Sequence, residues 1–240
     1  YKYYYFMKKT LVATATYNEF KNIDKLLSQI FKTNSKIHVL VIDDNSPDKT
    51  WLKLLRLKKK YKNLNIIIRK KKGGLDSAHK KMYKFAKKNN YDYLITMDAD
   101  LSHDPKIIPI FLKNIKNYDC VLGSRYTKGG KNGLKGFRYL LSKYGNIMIR
   151  YVLNINLNEF TTSYRCFNLK KLKKFHFNQV VVSGYSFFMF VIYLLNKFNY
   201  SIKEIPIYFH ERTHGKSKIP KIETFRTLLT LLLIKIGYFK

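Results

Sequence analysis

Residues 37–47 read Ile37-His38-Val39-Leu40-Val41-Ile42-Asp43-Asp44-Asn45-Ser46-Pro47. The run 39–42 is apolar without interruption and lacks the alternation of a strand with one wet face. Such a strand is covered on both sides, as in parallel sheets sandwiched between helices. The acids end the strand, and Ser46 before Pro47 has the form of a helix cap followed by Pro at the first helical position. The same rhythm repeats outward. Strand-like runs at 10–16, 37–43, 64–69, 93–98 and 119–124 alternate with helical patterns at 20–31, 47–60, 76–88 and 105–115. This βαβα order predicts an α/β fold with a mostly parallel sheet flanked by helices. After Ser124 come a glycine-bearing loop (126–136), a helical pattern over 137–153 and an irregular segment to Arg165. An aromatic-rich helix around 185–196, a strand over 202–209, a basic loop and a final helix over 222–236 complete the chain. No repeat and no Pro-, Gly- or Ser-rich linker divides it, so one domain is expected over 7–240.

With 240 residues, 46% hydrophobic, 5 Pro and 11 Gly, the chain is neither disordered nor collagen-like. The longest apolar stretches, 185–195 and 228–234, fall short of the ~20 residues a membrane-crossing helix needs. Its 2 Cys, Cys120 and Cys166, exclude a disulfide framework and a Cys-based zinc site and fit a reducing compartment. Residues 1–6 carry no cleavage-site pattern, and Met7 is expected to open the folded chain. The 47 Lys+Arg against 15 Asp+Glu give a formal charge of +32, which attracts polyanions. The excess is mostly Lys, and abundant Asn, Ile, Tyr and Phe share its AT-rich codons, so genome composition accounts for the charge equally well. The Lys runs at 58–60, 70–72 and 170–174 read as solvated faces. No zinc-finger, RNP or basic-zipper pattern is present, and no specific nucleic-acid partner is expected.

Ligands of such sheets gather beyond the C-terminal ends of the strands. There the sequence places Thr16-Tyr17-Asn18-Glu19, Asp43-Asp44 and Met97-Asp98-Ala99-Asp100-Leu101-Ser102-His103-Asp104-Pro105. Helix capping explains Ser46 and Asp104, each followed by Pro. It does not explain Asp43 with Asp44, or Asp98 with Asp100. In extended chain the side chains of Asp98 and Asp100 project to one side, where a cation must relieve their repulsion. Oxygen donors without Cys favour Mg²⁺ or Mn²⁺, completed by water and substrate phosphate.

These motifs, in this order, resemble the inverting glycosyltransferases of the GT-A fold, and among them the dolichol- or polyprenol-phosphate mannose synthases. The likeness runs from about Lys9 to Lys218. It also includes Lys72-Gly73-Gly74-Leu75, Gly123-Ser124-Arg125-Tyr126, Thr161-Thr162-Ser163-Tyr164-Arg165 and Arg212-Thr213-His214-Gly215-Lys216-Ser217-Lys218. The resemblance implies that Tyr17, Glu19, Asp43 and Asp44 hold the nucleotide of a nucleotide sugar, with Lys72 and Gly74 beside it. It implies that Asp98 and Asp100, with Ser102, bind the metal, and that the acceptor is a polyprenyl or dolichyl monophosphate, already ionised and needing no general base. Arg125, Arg138, Arg212 and Lys218 are then the cations for the acceptor phosphate, with Asp100, Arg125 and Arg212 closest to the chemistry.

The resemblance divides the chain into a nucleotide-sugar half (7–125) and an acceptor and membrane-facing half (126–240). The helices at 136–153 and 222–236 either cover the sheet or lie as interfacial helices in anionic headgroups. A peripheral place on the cytoplasmic face follows, with an anchor in a membrane subunit as one arrangement. The chain departs from the family at Ala15, Asp76, Glu159 and Thr162. It departs most at Phe188 and Phe190, where polar Gln and Glu are usual and their loss is expected to remove hydrogen bonding near the site. Open alternatives are another nucleotide sugar such as UDP-glucose, a saccharide acceptor, or a catalytically impaired partner-binding subunit.

Overall fold

Strand β1 (Thr10–Thr16) runs parallel to β2 (His38–Asp43) on one side and to β4 (Tyr93–Thr96) on the other, and β2 runs parallel to β3 (Leu64–Ile68). Alternate residues of these strands feed two separate cores. Leu11, Ala13, Leu40 and Ile42 face α3 (Leu75–Lys88) through Ala78, Met82 and Ala86. Val12, Val39 and Val41 face α1 (Ile23–Thr33) and α2 (Thr50–Lys60) through Ile23, Leu26, Ile30 and Leu54. A strand buried on both faces has no polar alternation to show, hence the unbroken apolar run. The structure, a computed structural model, describes residues 8–212 and 222–239. The expectations placed on residues 1–7, and on Lys218 and its motif from Thr213, fall outside them.

The seven-stranded sheet has the order β3-β2-β1-β4-β7-β5-β8, with β5 at Cys120–Ser124, β7 at Arg165–Asn168 and β8 at Ile202–Pro206. Helix α4 (Ile108–Asn114) leads into β5 and packs on its face. Strand β7 is antiparallel to both β4 and β5 and sits between them. The sequence reading leaves that stretch irregular, because four residues, Arg165-Cys166-Phe167-Asn168, show neither alternation nor a long apolar run.

The strand expected over 202–209 breaks in two. Pro206 has no N–H to continue the ladder, and Ile207 bridges the pieces, donating to Ser124 O and accepting from Lys131 N. Beyond it β9 (Tyr208–Phe209) pairs with β6 (Lys131–Asn132) in a separate ribbon. Three long helices complete the second half: α5 (Gly136–Leu153), α6 (Ser186–Lys197) and α7 (Ile222–Lys235). Helix α6 is almost entirely buried, whereas α5 buries only Asn146 and Ile149.

The cap expectations divide. Asp104 accepts from Lys106 N (2.9 Å) ahead of Pro105, as read. Ser46 does not cap a helix, since α2 begins only at Thr50. Its hydroxyl is instead held between Asp43 and the backbone N–H of Asn18.

Candidate active site

The ends of β1, β2 and β3 form one wall of the cleft. Asp43 is fully buried, and Thr16 Oγ1 (2.7 Å), Ser46 Oγ (2.7 Å) and Ser46 N (2.9 Å) all donate to it. Asp43 thus ties β1 to the loop after β2. Asp44 is gripped by Arg69 from the end of β3, through Nε and through Nη2 at 2.6 Å, and it accepts from Gly73 N at 3.1 Å. Arg69 also donates to Gly74 O (3.1 Å) and Ser77 Oγ (2.5 Å), so one guanidinium joins Asp44 to the glycine loop at the start of α3. Gly74 has φ +84, a conformation that disfavours any side chain. Lys72 Nζ lies 4.4 Å from the centre of the Tyr17 ring, a cation–π contact at the cleft mouth. Glu19 accepts from Asn22 Nδ2 at 2.7 Å.

The second group follows β4, which ends at Thr96, so Asp98 and Asp100 stand in the loop beyond the strand and not on it. Ser163 Oγ donates to Asp98 Oδ1 (2.6 Å). Ser102 donates through both N (3.1 Å) and Oγ (2.5 Å) to Asp100 Oδ1, while Arg212 Nε pairs with Asp100 Oδ2 at 2.6 Å. Leu101 takes a left-handed φ of +66 to turn the chain so that Ser102 doubles back. The two carboxylates act on common neighbours. Burial pushes the Tyr185 hydroxyl well above its ordinary value, and the fields of Asp98, Asp100 and Glu223 add to this against Arg212. Burial lowers the His103 pKa against the opposing fields of the same two aspartates. His103 Nδ1 accepts the Asp98 N–H (3.0 Å), and its ring stacks on Tyr164. It is a supporting ring, not a ligand.

The donor set fits a hard divalent ion of the kind that substrate oxygens complete. Asp98 and Asp100 stand in the one loop beyond β4, and among the described residues no group of three or more His, Cys, Asp or Glu side chains could hold a metal. Ser102 stands there as a donor to Asp100.

The third group surrounds Arg125. Its Nε and Nη2 donate to the Glu159 carboxylate at 2.6 and 2.8 Å, and Nη2 also reaches Thr161 Oγ1 at 2.8 Å. Burial alone would lower the Arg125 pKa and raise that of Glu159. Their attraction outweighs it, so Arg125 is raised and Glu159 is held below the usual carboxylate range. The guanidinium lies over Tyr126 and Phe209. Arg138 is exposed in the first turn of α5.

Arg165 is fully buried and bonds only to carbonyls, those of Thr162 (2.8 Å), Phe160 (2.8 Å) and Phe188 (2.9 Å). Burial lowers its pKa to about 10. It thereby ties the loop carrying Glu159 and Ser163 to α6. Phe188 and Phe190 do not open onto the cleft. Phe188 packs edge-on against His79 and Phe190 against Phe239, both inside the core. The expected loss of polar groups near the site is therefore taken up by apolar packing.

Sequence reasoning missed Arg69, Tyr185 and the partner role of Glu159. Arg69 carried a usable signal, as an arginine among lysines at the C-terminal end of a strand. Tyr185 carried none, because its place depends on how α6 meets the loop after β4.

The sheet is mostly parallel with acidic loops at its strand ends, and the chain belongs to glycosyl transferase family 2, whose pattern matches residues 11–175. Among its relatives is a polyprenol monophosphomannose synthase of Mycolicibacterium smegmatis, 31% identical over 88% of this chain and 81% of that protein. An undecaprenyl-phosphate mannosyltransferase of Micrococcus luteus is 30% identical over 88% of this chain and 87% of its own length. A dolichol-phosphate mannosyltransferase of Pyrococcus furiosus is 35% identical over 88% of this chain and 59% of its own. In fold, the chain is similar to a Mycobacterium tuberculosis glucosyl-3-phosphoglycerate synthase solved with Mn²⁺, UDP and phosphoglyceric acid. That likeness has a TM-score of 0.66 at 14% identity, over 96% of this chain and 79% of the other.

Proposed function

We propose that the protein is a metal-dependent inverting glycosyltransferase that moves a hexose, mannose from GDP-mannose, onto a polyprenyl or dolichyl monophosphate. The observation that carries this reading is the pair Asp98 and Asp100 in the loop beyond β4, each oriented by a serine, in a chain whose relatives carry mannosyltransferase names. Tyr17, Glu19, Asp44, Lys72 and Gly74, from the loops after β1, β2 and β3, line the side where the nucleotide would lie, with Asp43 tying the end of β1 to the loop after β2. Asp98 and Asp100, oriented by Ser163 and Ser102, would hold Mg²⁺ or Mn²⁺. The ion supplies Lewis-acid neutralisation of the leaving diphosphate.

Arg212, beside Asp100, and Arg138, exposed at the start of α5, would attract the acceptor phosphate. Arg125 is buried against Glu159, and its contribution is to hold the loop and a directed, partly cancelled positive charge. A monophosphate acceptor is already ionised, so these residues position and stabilise and need not remove a proton.

Membrane contact fits the outer faces of α5 and α7. Phe137, Leu140, Tyr144 and Tyr151 of α5 and Phe225, Leu229 and Leu232 of α7 are exposed, on two helices that touch each other. No helix among the described residues is long and apolar enough to cross a membrane. An apolar patch flanked by Arg138, Lys143 and Arg226 suits peripheral binding to an anionic bilayer. The test is to incubate the protein with a panel of nucleotide sugars, Mg²⁺ or Mn²⁺ and a polyprenyl phosphate, and to identify the lipid product. Mannosyl-phospho-lipid from GDP-mannose is expected. A different sugar would redirect the specificity, and no lipid product from any donor would overturn the reading.

A further inference from the structure

A cavity of about 340 Å³ lies between α5 and the loop after β5. Tyr139, Lys143, Asn146 and Arg150 line it from one stripe of α5, at the i, i+4, i+7 and i+11 spacing of a single helix face. The opposite wall is Arg125, Tyr126 and the backbone of Gly130, folded so tightly that a Cβ there would fall 2.6 Å from Ser124 O.

The charges in this cavity are not equivalent. Glu159 cancels that of Arg125. Arg150 is held by neutral groups, the amide oxygens of Asn158 (Nη1, 2.9 Å) and Asn156, which fix the guanidinium without cancelling it. Lys143 Nζ stands 5.9 Å from the Tyr139 ring centre, again a neutral contact. A further acid behind the cavity, Glu204, is engaged by the backbone N–H (3.0 Å) and side-chain amide (2.8 Å) of Asn158. Two cations oriented by uncharged partners on one wall of a space of ligand size describe an anion site. Ile147 both lines the cavity and belongs to the exposed apolar stripe of α5. The cavity therefore opens at the edge of the face that would rest on lipid.

We propose that this cavity, built on Lys143 and Arg150, binds a phosphate-bearing group, supplied by the headgroup of an anionic phospholipid when α5 lies on the bilayer. The phosphate chemistry rests on the cavity alone, while its lipid source rests on the peripheral-membrane reading above. The site is additional to the acceptor phosphate and makes membrane binding selective for headgroup charge.

The test uses the full chain and vesicles of phosphatidylcholine with or without phosphatidylglycerol, read by co-sedimentation. Lys143→Gln/Arg150→Gln should weaken binding to the anionic vesicles roughly thirtyfold, since each basic residue near the surface contributes about 1 kcal/mol. Lys58→Gln/Lys59→Gln, which removes the same charge from α2, should change it less than threefold. Lys143→Gln alone keeps the Arg150 bonds intact and serves if the double variant unfolds by circular dichroism.

A second arm adds inorganic phosphate at constant ionic strength and follows amide NMR shifts along α5. A selective vesicle loss, with only weak phosphate shifts, is the expected result. Phosphate shifts abolished by the variants, with vesicle binding equally reduced by both double variants, overturn the lipid source. Equal vesicle loss with no phosphate shifts overturns the site itself. Sugar transfer is assayed separately in neutral detergent, where its absence in the unmodified chain would sink the proposed function without touching the cavity.

Discussion

Two pairs of adjacent acids stand at the ends of two strands of one sheet, and their surroundings separate them. Asp43 is sealed, with donors from Thr16 and Ser46 on both its oxygens. Its neighbour Asp44 is occupied by Arg69 and Gly73. Around Asp98 and Asp100 the serines hold one oxygen of each, Ser163 and Ser102 respectively. The other oxygens lie near groups that carry or feel charge, Arg212 against Asp100 and His103 3.9 Å from Asp98. The Asp98 side chain is 31% exposed, whereas Asp43, Asp44 and Asp100 are all buried, so Asp98 is the one carboxylate of the four that solvent reaches. The same letters in sequence thus serve as a clamp in one place and, in the proposed function, as a cation seat in the other. The difference comes from where the donors sit.

Substitutions should split along that line. Asp100→Ala is expected to reduce metal-dependent transfer by roughly three orders of magnitude, the scale of a lost electrostatic contact to the leaving group, with the fold intact by circular dichroism. Transfer at the original rate would remove the metal role. Arg125→Ala leaves Glu159 charged and fully buried, and should cost about 3–5 kcal/mol in denaturant unfolding. Adding Glu159→Gln should restore much of that, and a double variant no better than the single would show that the pair is not the cause.

The same carboxylate sets a pH limb. Glu159 titrates below its ordinary value in the folded chain, so its contribution is complete above the unfolded pKa of about 4.3. That contribution is lost as pH falls through the lower folded value. In Glu159→Gln this acid-side loss should shrink. Asp43→Ala, which strands three donors, should cost about 2 kcal/mol and affect donor binding only through the loop it holds. Asp104→Ala removes a cap and should cost about 1 kcal/mol, with transfer unchanged.

Much of the fold was legible because a doubly covered strand leaves an unbroken apolar run, as at 39–42, and because helices separate such runs. Strand β7 was not, since four residues inserted antiparallel between β4 and β5 are defined by their neighbours. In the site, Asp98 and Asp100 stood out because capping could not account for them. Asp43 looked the same in sequence, and only the positions of Thr16 and Ser46 show it to be a clamp. Arg125 was read as a cation for the acceptor phosphate, while its partner Glu159 lies 34 residues away across a loop. Phe188 and Phe190 read as losses near the site, and the turn of α6 places them in the core instead.

Calorimetric titration of GDP into the protein, with and without Mn²⁺, tests the Asp98–Asp100 seat most directly. Binding at least tenfold tighter with Mn²⁺ in the unmodified chain, and no Mn²⁺ effect in Asp100→Ala, is the predicted result. An Mn²⁺ effect of the same size in both proteins, or in neither, would contradict it.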